Sequence, residues 1–98
     1  MMMDGQPIIS RTVTVKNPSG LHLRPWSMAV KLAHPYKSKI EIVKEFVRVD
    51  MRSVISLMTL AVRQGETLIV EAQGDDAESA VAAVANFLDG YVEPEEST

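Results

Sequence analysis

Chemistry has few places to reside in this chain. Its 98 residues include two histidines and no cysteine, which excludes thiol nucleophiles, disulfides and thiolate metal sites. One histidine stands in Ser19-Gly20-Leu21-His22-Leu23-Arg24-Pro25-Trp26, where turn residues give way to a helical pattern. A helix N-terminus presents backbone N–H groups without intrahelical acceptors and the positive end of the helix dipole, a ready site for phosphate or another anion. An unperturbed imidazole, with a pKa of about 6.5, is largely neutral near neutral pH and can attack phosphorus as a nucleophile. Arg24 adds a permanently charged, planar set of donors suited to phosphoryl oxygens. Gly20 is expected to let the backbone approach closely. No paired carboxylates, metal-ligand cluster, phosphate loop or Ser/His/Asp arrangement accompanies His22, so a carrier fits better than an enzyme, with no cofactor and no metal. His34, followed by Pro35, is given no chemical role.

The elements that must position His22 follow from periodicity. From Ile8, strict alternation sets Ile9, Arg11, Val13 and Val15 on one side of a strand, and Asn17-Pro18-Ser19-Gly20 ends it with turn residues. Trp26, Ala29, Val30 and Ala33 then form one apolar stripe of a helix over about Leu23 to Ala33. Pro25 fits its first turn, where the missing N–H costs nothing. Lys39 to Lys44 and Val47 to Val49 predict a hairpin whose turn, Lys44-Glu45-Phe46, lacks the residues that readily take positive φ. A second helix is expected to bury Val54, Leu57, Met58 and Ala61 and to end at Gln64-Gly65, with Asp50 or Ser53 placed to cap it. Thr67 to Ala72 makes the last strand. Asp75 with Glu78 resembles a capping box for a third helix that buries Ala77, Ala80, Val81, Val84 and Leu88.

The order is thus β-α-β-β-α-β-α. We read an α+β fold, a two-layer open-faced sandwich with a four-stranded antiparallel sheet and three helices on one face. Residues 1–7 are read as a flexible N-terminus, 8–90 as one domain, and 91–98 as an acidic tail in which Glu93 to Thr98 is too acidic and polar to pack.

Composition narrows the function. A net charge of −3 argues against nucleic-acid binding, which needs clustered basic surface. No apolar run is long enough to span a bilayer, and Met1-Met2-Met3-Asp4-Gly5 is no signal peptide, so a cytoplasmic protein without membrane insertion is expected. An RNA-binding sheet would want exposed aromatics and basic surface, whereas the two phenylalanines, two tyrosines and one tryptophan are scattered along the chain and the net charge is negative.

Gly20-Leu21-His22-Leu23-Arg24-Pro25 resembles the active-site signature of the HPr family, the histidine-containing phosphocarriers of the bacterial phosphoenolpyruvate-dependent phosphotransferase system. The segment Val49 to Leu60 resembles the family's regulatory-serine segment, and the likeness runs from about Thr12 to Leu88. By this resemblance His22 would accept phosphate through Nδ1 from the phosphorylated first enzyme of the system and pass it to a sugar-specific or regulatory acceptor domain. Arg24 would assist. Ser53 would match the serine modified by an ATP-dependent HPr kinase/phosphorylase, and Val54 and Ile55 the apolar docking patch for partners. The protein would work as a monomer. The alternative is a non-catalytic HPr-like regulatory module, controlled through Ser53.

The chain departs from the family's usual pattern at four places. Leu23 and Trp26 stand where alanine is common, and Ala29, where a larger aliphatic is common, is expected to make room for the indole. Glu45-Phe46 replaces a glycine-containing hairpin turn.

Overall fold

The structure is a computed structural model that describes residues 5–94. Its elements are β1 (Ile8–Thr14), α1 (Leu23–Ala33), β2 (Lys39–Lys44), β3 (Val47–Asp50), α2 (Val54–Met58), β4 (Thr67–Gln73) and α3 (Ala77–Gly90), in the order read from the sequence. The four strands form one antiparallel sheet in the order β1-β4-β2-β3. One cross-strand row of its inner face runs Arg11, Val70, Ile42 and Val49. Val70 and Ile42 are fully buried there. Arg11, on the edge strand, instead directs its guanidinium to the Asn86 side chain on α3.

The helical layer covers that face. α3 packs on β1, β4 and β2 and against α1, while α2 packs on α1 and β3. The predicted stripe of α1 is present: Trp26, Ala29 and Ala33 are fully buried and Val30 is partly buried against the core. In α3 all five expected residues are buried, together with Ala85. The end of α1 is held by Arg52, whose guanidinium donates to the carbonyl oxygens of Ala33 and Ser38 at 3.3 Å each and to that of Tyr36.

The second helix corrects the sequence reading. α2 ends at Met58, not at Gln64-Gly65. Beyond it the backbone tightens: Thr59, Leu60 and Ala61 each donate to the carbonyl three residues back, at 3.1, 3.1 and 3.3 Å. A three-residue spacing carries the residue three after Leu57 onto the buried face, where a 3.6-residue spacing would carry the fourth. Leu60 is therefore in the core, while Met58 and Ala61 are exposed and Val54 is only half-buried. Ala61 itself takes φ of +50°, a conformation that crowds Cβ against the backbone. Ala61→Gly is expected to raise stability by about 0.5–1 kcal/mol, because the relief of that crowding exceeds the entropy a glycine adds to the unfolded chain. A urea midpoint that falls in the variant would contradict this.

The capping box at α3 is also absent. The N-cap is Asp76, not Asp75, and its carboxylate makes no cap hydrogen bond. It reaches across the fold instead, accepting from the Ser38 hydroxyl and from the backbone N–H groups of Lys37 at 2.9 Å and Ser38 at 3.0 Å. The Ser38 hydroxyl first, then the Lys37 amide, holds the Asp76 carboxyl below the ordinary aspartate range.

In the β2–β3 hairpin Lys44 faces Val47, so Glu45 and Phe46 alone make the turn. Glu45 supplies the positive φ, +55°, and Phe46 projects fully into solvent. Near the N-terminus, residues 1–4 lie outside the described residues. Gln6 is tied to β4, where the Gln73 side-chain amide donates to its carbonyl at 2.7 Å.

Candidate functional site

The turn before α1 is built by an unsubstitutable glycine. Asn17 accepts the Gly20 N–H at 2.9 Å, and Gly20 takes φ of +70° so that the chain can double back beneath the α2–β4 connection. A β-carbon on Gly20 would lie 2.3 Å from the Val62 carbonyl oxygen, closer than real carbons come. The close approach expected at Gly20 is therefore to Val62, whose carbonyl also accepts the Leu21 N–H at 3.1 Å. Leu21 is buried, and its neighbour His22 is exposed.

His22 is the N-cap of α1. It has extended backbone angles, its carbonyl accepts the Trp26 N–H at 3.2 Å, and its side chain does not cap the helix. The ring is thus free to point outward, with 43% of the side chain exposed. At the start of this eleven-residue helix the Leu23 and Arg24 N–H groups precede any intrahelical acceptor, and Pro25 has none to offer. Arg24 is exposed and lines one surface pocket with His22 and Glu93, and its charge acts on the phenol of Tyr91.

The ring meets a partner that the sequence reading assigned to an unpacked tail. His22 Nε2 lies 2.8 Å from Glu93 Oε2. That carboxylate also accepts the Tyr91 hydroxyl at 2.6 Å and, through Oε1, the Asn17 amide at 3.3 Å. The Glu93 N–H in turn donates to Asn17 Oδ1 at 2.8 Å, while the Asn17 amide also donates to the Gly20 carbonyl at 2.9 Å. Asn17 is fully buried. A buried amide satisfied on both its oxygen and its nitrogen is a rigid anchor, since breaking it leaves polar groups unpaired in a dry site. The expectation that Glu93 to Thr98 fails to pack is corrected for Glu93, which is half-buried, as is Tyr91 just before it. Residues 95–98 lie outside the described residues.

Charge follows from these contacts. The Tyr91 hydroxyl first, then the Asn17 amide and the His22 ring, hold Glu93 below the ordinary glutamate range. Burial, with the adjacent carboxylate, pushes the Tyr91 phenol up. Near neutral pH the phenol is a donor and the carboxylate only an acceptor.

The other predicted residues lie on α2. Ser53 is its N-cap, its Oγ accepting the Ser56 N–H at 3.2 Å, which decides the cap in its favour over Asp50. The Asp50 carboxylate accepts the Arg52 N–H instead. Ile55 is 81% exposed and Val54 half-buried. α2 packs on α1, but no hydrogen bond among the described residues links Ser53 to His22 or Arg24. Among the described residues no helix is long and apolar enough to cross a membrane.

Residues 9–89 match the family model for the PTS HPr component phosphorylation site. The chain belongs to the HPr family. The phosphocarrier protein HPr of Mycoplasma pneumoniae is 35% identical over 80 residues, covering 81% of this chain and 91% of that one. The HPr-like protein Crh of Halalkalibacterium halodurans is 32% identical over 82 residues, 84% of this chain and 98% of its own. The crystal structure of a phosphocarrier protein HPr from Bacillus anthracis superposes with a TM-score of 0.78 at 30% identity, covering 83% of this chain and 96% of that chain. The HPr relatives of the chain are named phosphocarrier proteins rather than enzymes.

Proposed function

We propose that this HPr-family protein carries a phosphoryl group on His22, taking it from the phosphorylated first enzyme of the phosphotransferase system and handing it to a downstream acceptor domain, in the cytoplasm. The observation that carries this reading is the exposed imidazole at the N-cap of α1, next to Arg24, in a chain of this family. In uptake a ring nitrogen lone pair of His22 forms the N–P bond while the donor's bond to phosphorus breaks and the donor keeps that electron pair. In the onward transfer the acceptor's lone pair forms the new bond to phosphorus, the N–P bond breaks, and His22 regains its lone pair. Arg24 and the first-turn N–H groups would balance charge on the equatorial oxygens. His22, Asn17, Tyr91 and Glu93 meet within one chain, and action as a monomer is part of the proposal. Incubation with labelled phosphoenolpyruvate and the first enzyme should place an acid-labile phosphate on the protein. An unlabelled wild type would refute the proposal.

Val54 and Ile55 are proposed as apolar contacts for these partners, since Ile55 is exposed on a helix that abuts α1. Ser53 is proposed as a site for the HPr kinase/phosphorylase. Its hydroxyl donates to Ser56 Oγ at 2.9 Å, a bond the kinase must break. ATP and such a kinase should label the wild type and leave Ser53→Ala unlabelled, and that variant should lose about 1 kcal/mol with its cap. Equal labelling of the two would exclude Ser53. The second reading, an HPr-like binding module governed through Ser53, is favoured by the likeness to Crh, which is named as HPr-like. The pairing of His22 with Arg24 counts against it.

A further inference from the structure

Glu93 comes from outside both segments that define the site in sequence, yet it is the group that touches the imidazole. We infer that Glu93, anchored by Asn17 and Tyr91, is a positioning residue that fixes the His22 tautomer and makes Nδ1 the nitrogen that attacks. This rests on the phosphocarrier reading and deepens it.

The argument starts from acceptor chemistry. A carboxylate has no proton to donate, so at 2.8 Å from Nε2 it requires Nε2 to carry the hydrogen. The neutral ring then has its lone pair on Nδ1, the nitrogen left without a partner among the described residues. The carboxylate is itself held in place. Asn17 grips both the backbone and the side chain of Glu93 from a fully buried position, and Tyr91 donates to the same oxygen that meets the ring. A partner immobilised on three sides orients the ring as well as choosing its tautomer, in the manner of the carboxylate behind a catalytic histidine.

The carboxylate has a second use once the bond to phosphorus forms. Attack through Nδ1 consumes that lone pair, the donor departs with its own electron pair, and the proton on Nε2 stays where it is. The ring is left cationic, with its N–H facing Glu93. The charge created in the transfer is therefore met by a carboxylate already in position.

Nitrogen-resolved NMR of the imidazoles at about pH 8.5, some two units above the ordinary imidazole pKa, tests the tautomer without any transfer reaction. His34, an exposed histidine on the same chain, is the internal reference. Wild-type His22 is expected in the Nε2–H form at least tenfold more completely than His34. Glu93→Ala should bring its tautomer ratio to that of His34, and Asn17→Ala should do the same if it folds. Glu93→Gln keeps an acceptor but no charge, so it should preserve the tautomer while slowing phosphoryl uptake. Uptake should fall about tenfold in Glu93→Ala, and adding Asn17→Ala should lower it little further because both act through one device. A His22 tautomer ratio identical in wild type and Glu93→Ala overturns this inference. An absence of label on wild type, with the tautomer shift intact, overturns only the phosphocarrier reading.

Discussion

Replacing His22 by alanine is expected to reduce the acid-labile label by at least about a hundredfold while leaving the fold intact. The side chain is 43% exposed, and among the described residues its polar contact is with Glu93 alone. What α1 needs from this position is the carbonyl that accepts the Trp26 N–H, and alanine supplies it. A surface substitution of this kind changes stability by only about 0.5 kcal/mol, so loss of label would be chemical rather than structural. Arg24→Ala should retain the nucleophile and lose charge stabilisation, slowing transfer by about 10²-fold. Arg24→Lys should recover part of it, because an ammonium is a point charge without the planar fork. Persistent label on His22→Ala would mean that another residue accepts the phosphoryl group.

Trp26→Ala is expected to cost about 3–5 kcal/mol, the range for truncating a buried aromatic side chain. The indole is fully buried, and so is Ala29 one turn along the same face, in one continuous core with Leu57, Leu88 and Val84. A domain of this length has about 5–15 kcal/mol in all, so the variant would lie near the threshold of unfolding at 37 °C. Trp26→Phe should cost far less. The indole Nε1 finds no hydrogen-bond partner among the described residues, and deleting a buried, unpaired N–H recovers about 1–3 kcal/mol against the volume lost. Denaturant midpoints followed by circular dichroism measure both, since the chain's one tryptophan is the residue removed. An alanine variant as stable as wild type would mean that the core tolerates the cavity.

How much of this was legible beforehand depended on the range over which each residue acts. Strands and long helices were readable because a regular backbone repeats its burial, as Ile40 and Ile42 do on β2 and Trp26, Ala29 and Ala33 do on α1. The end of α2 was not, because the change to three-residue hydrogen bonds moves burial from Ala61 to Leu60, and apolar spacing alone cannot show a change of period. Met51, which is fully buried just after β3, follows Val49 by two residues on the inner face, one step beyond the strand predicted from the sequence. Asp75 with Glu78 looked like a local cap, but the N-cap is Asp76, whose partners are Lys37 and Ser38, neighbours only in the folded chain. The site divides in the same way. His22, Arg24 and Ser53 stand in short motifs, whereas Asn17 looked like an ordinary turn residue and Glu93 like one acid in a polar run. Their pairing joins positions 76 residues apart, and no local pattern encodes it.

That separation gives synthesis of the chain a direction. The ribosome makes the loop that bears the nucleophile early and the carboxylate that meets it only after every strand and helix has been specified. A product interrupted just past Gly90 would still contain all seven elements and would lack Glu93. An affinity tag joined soon after Pro94 would sit within a few residues of the group that touches the imidazole, so the choice of tagged end bears on any assay of this protein's chemistry.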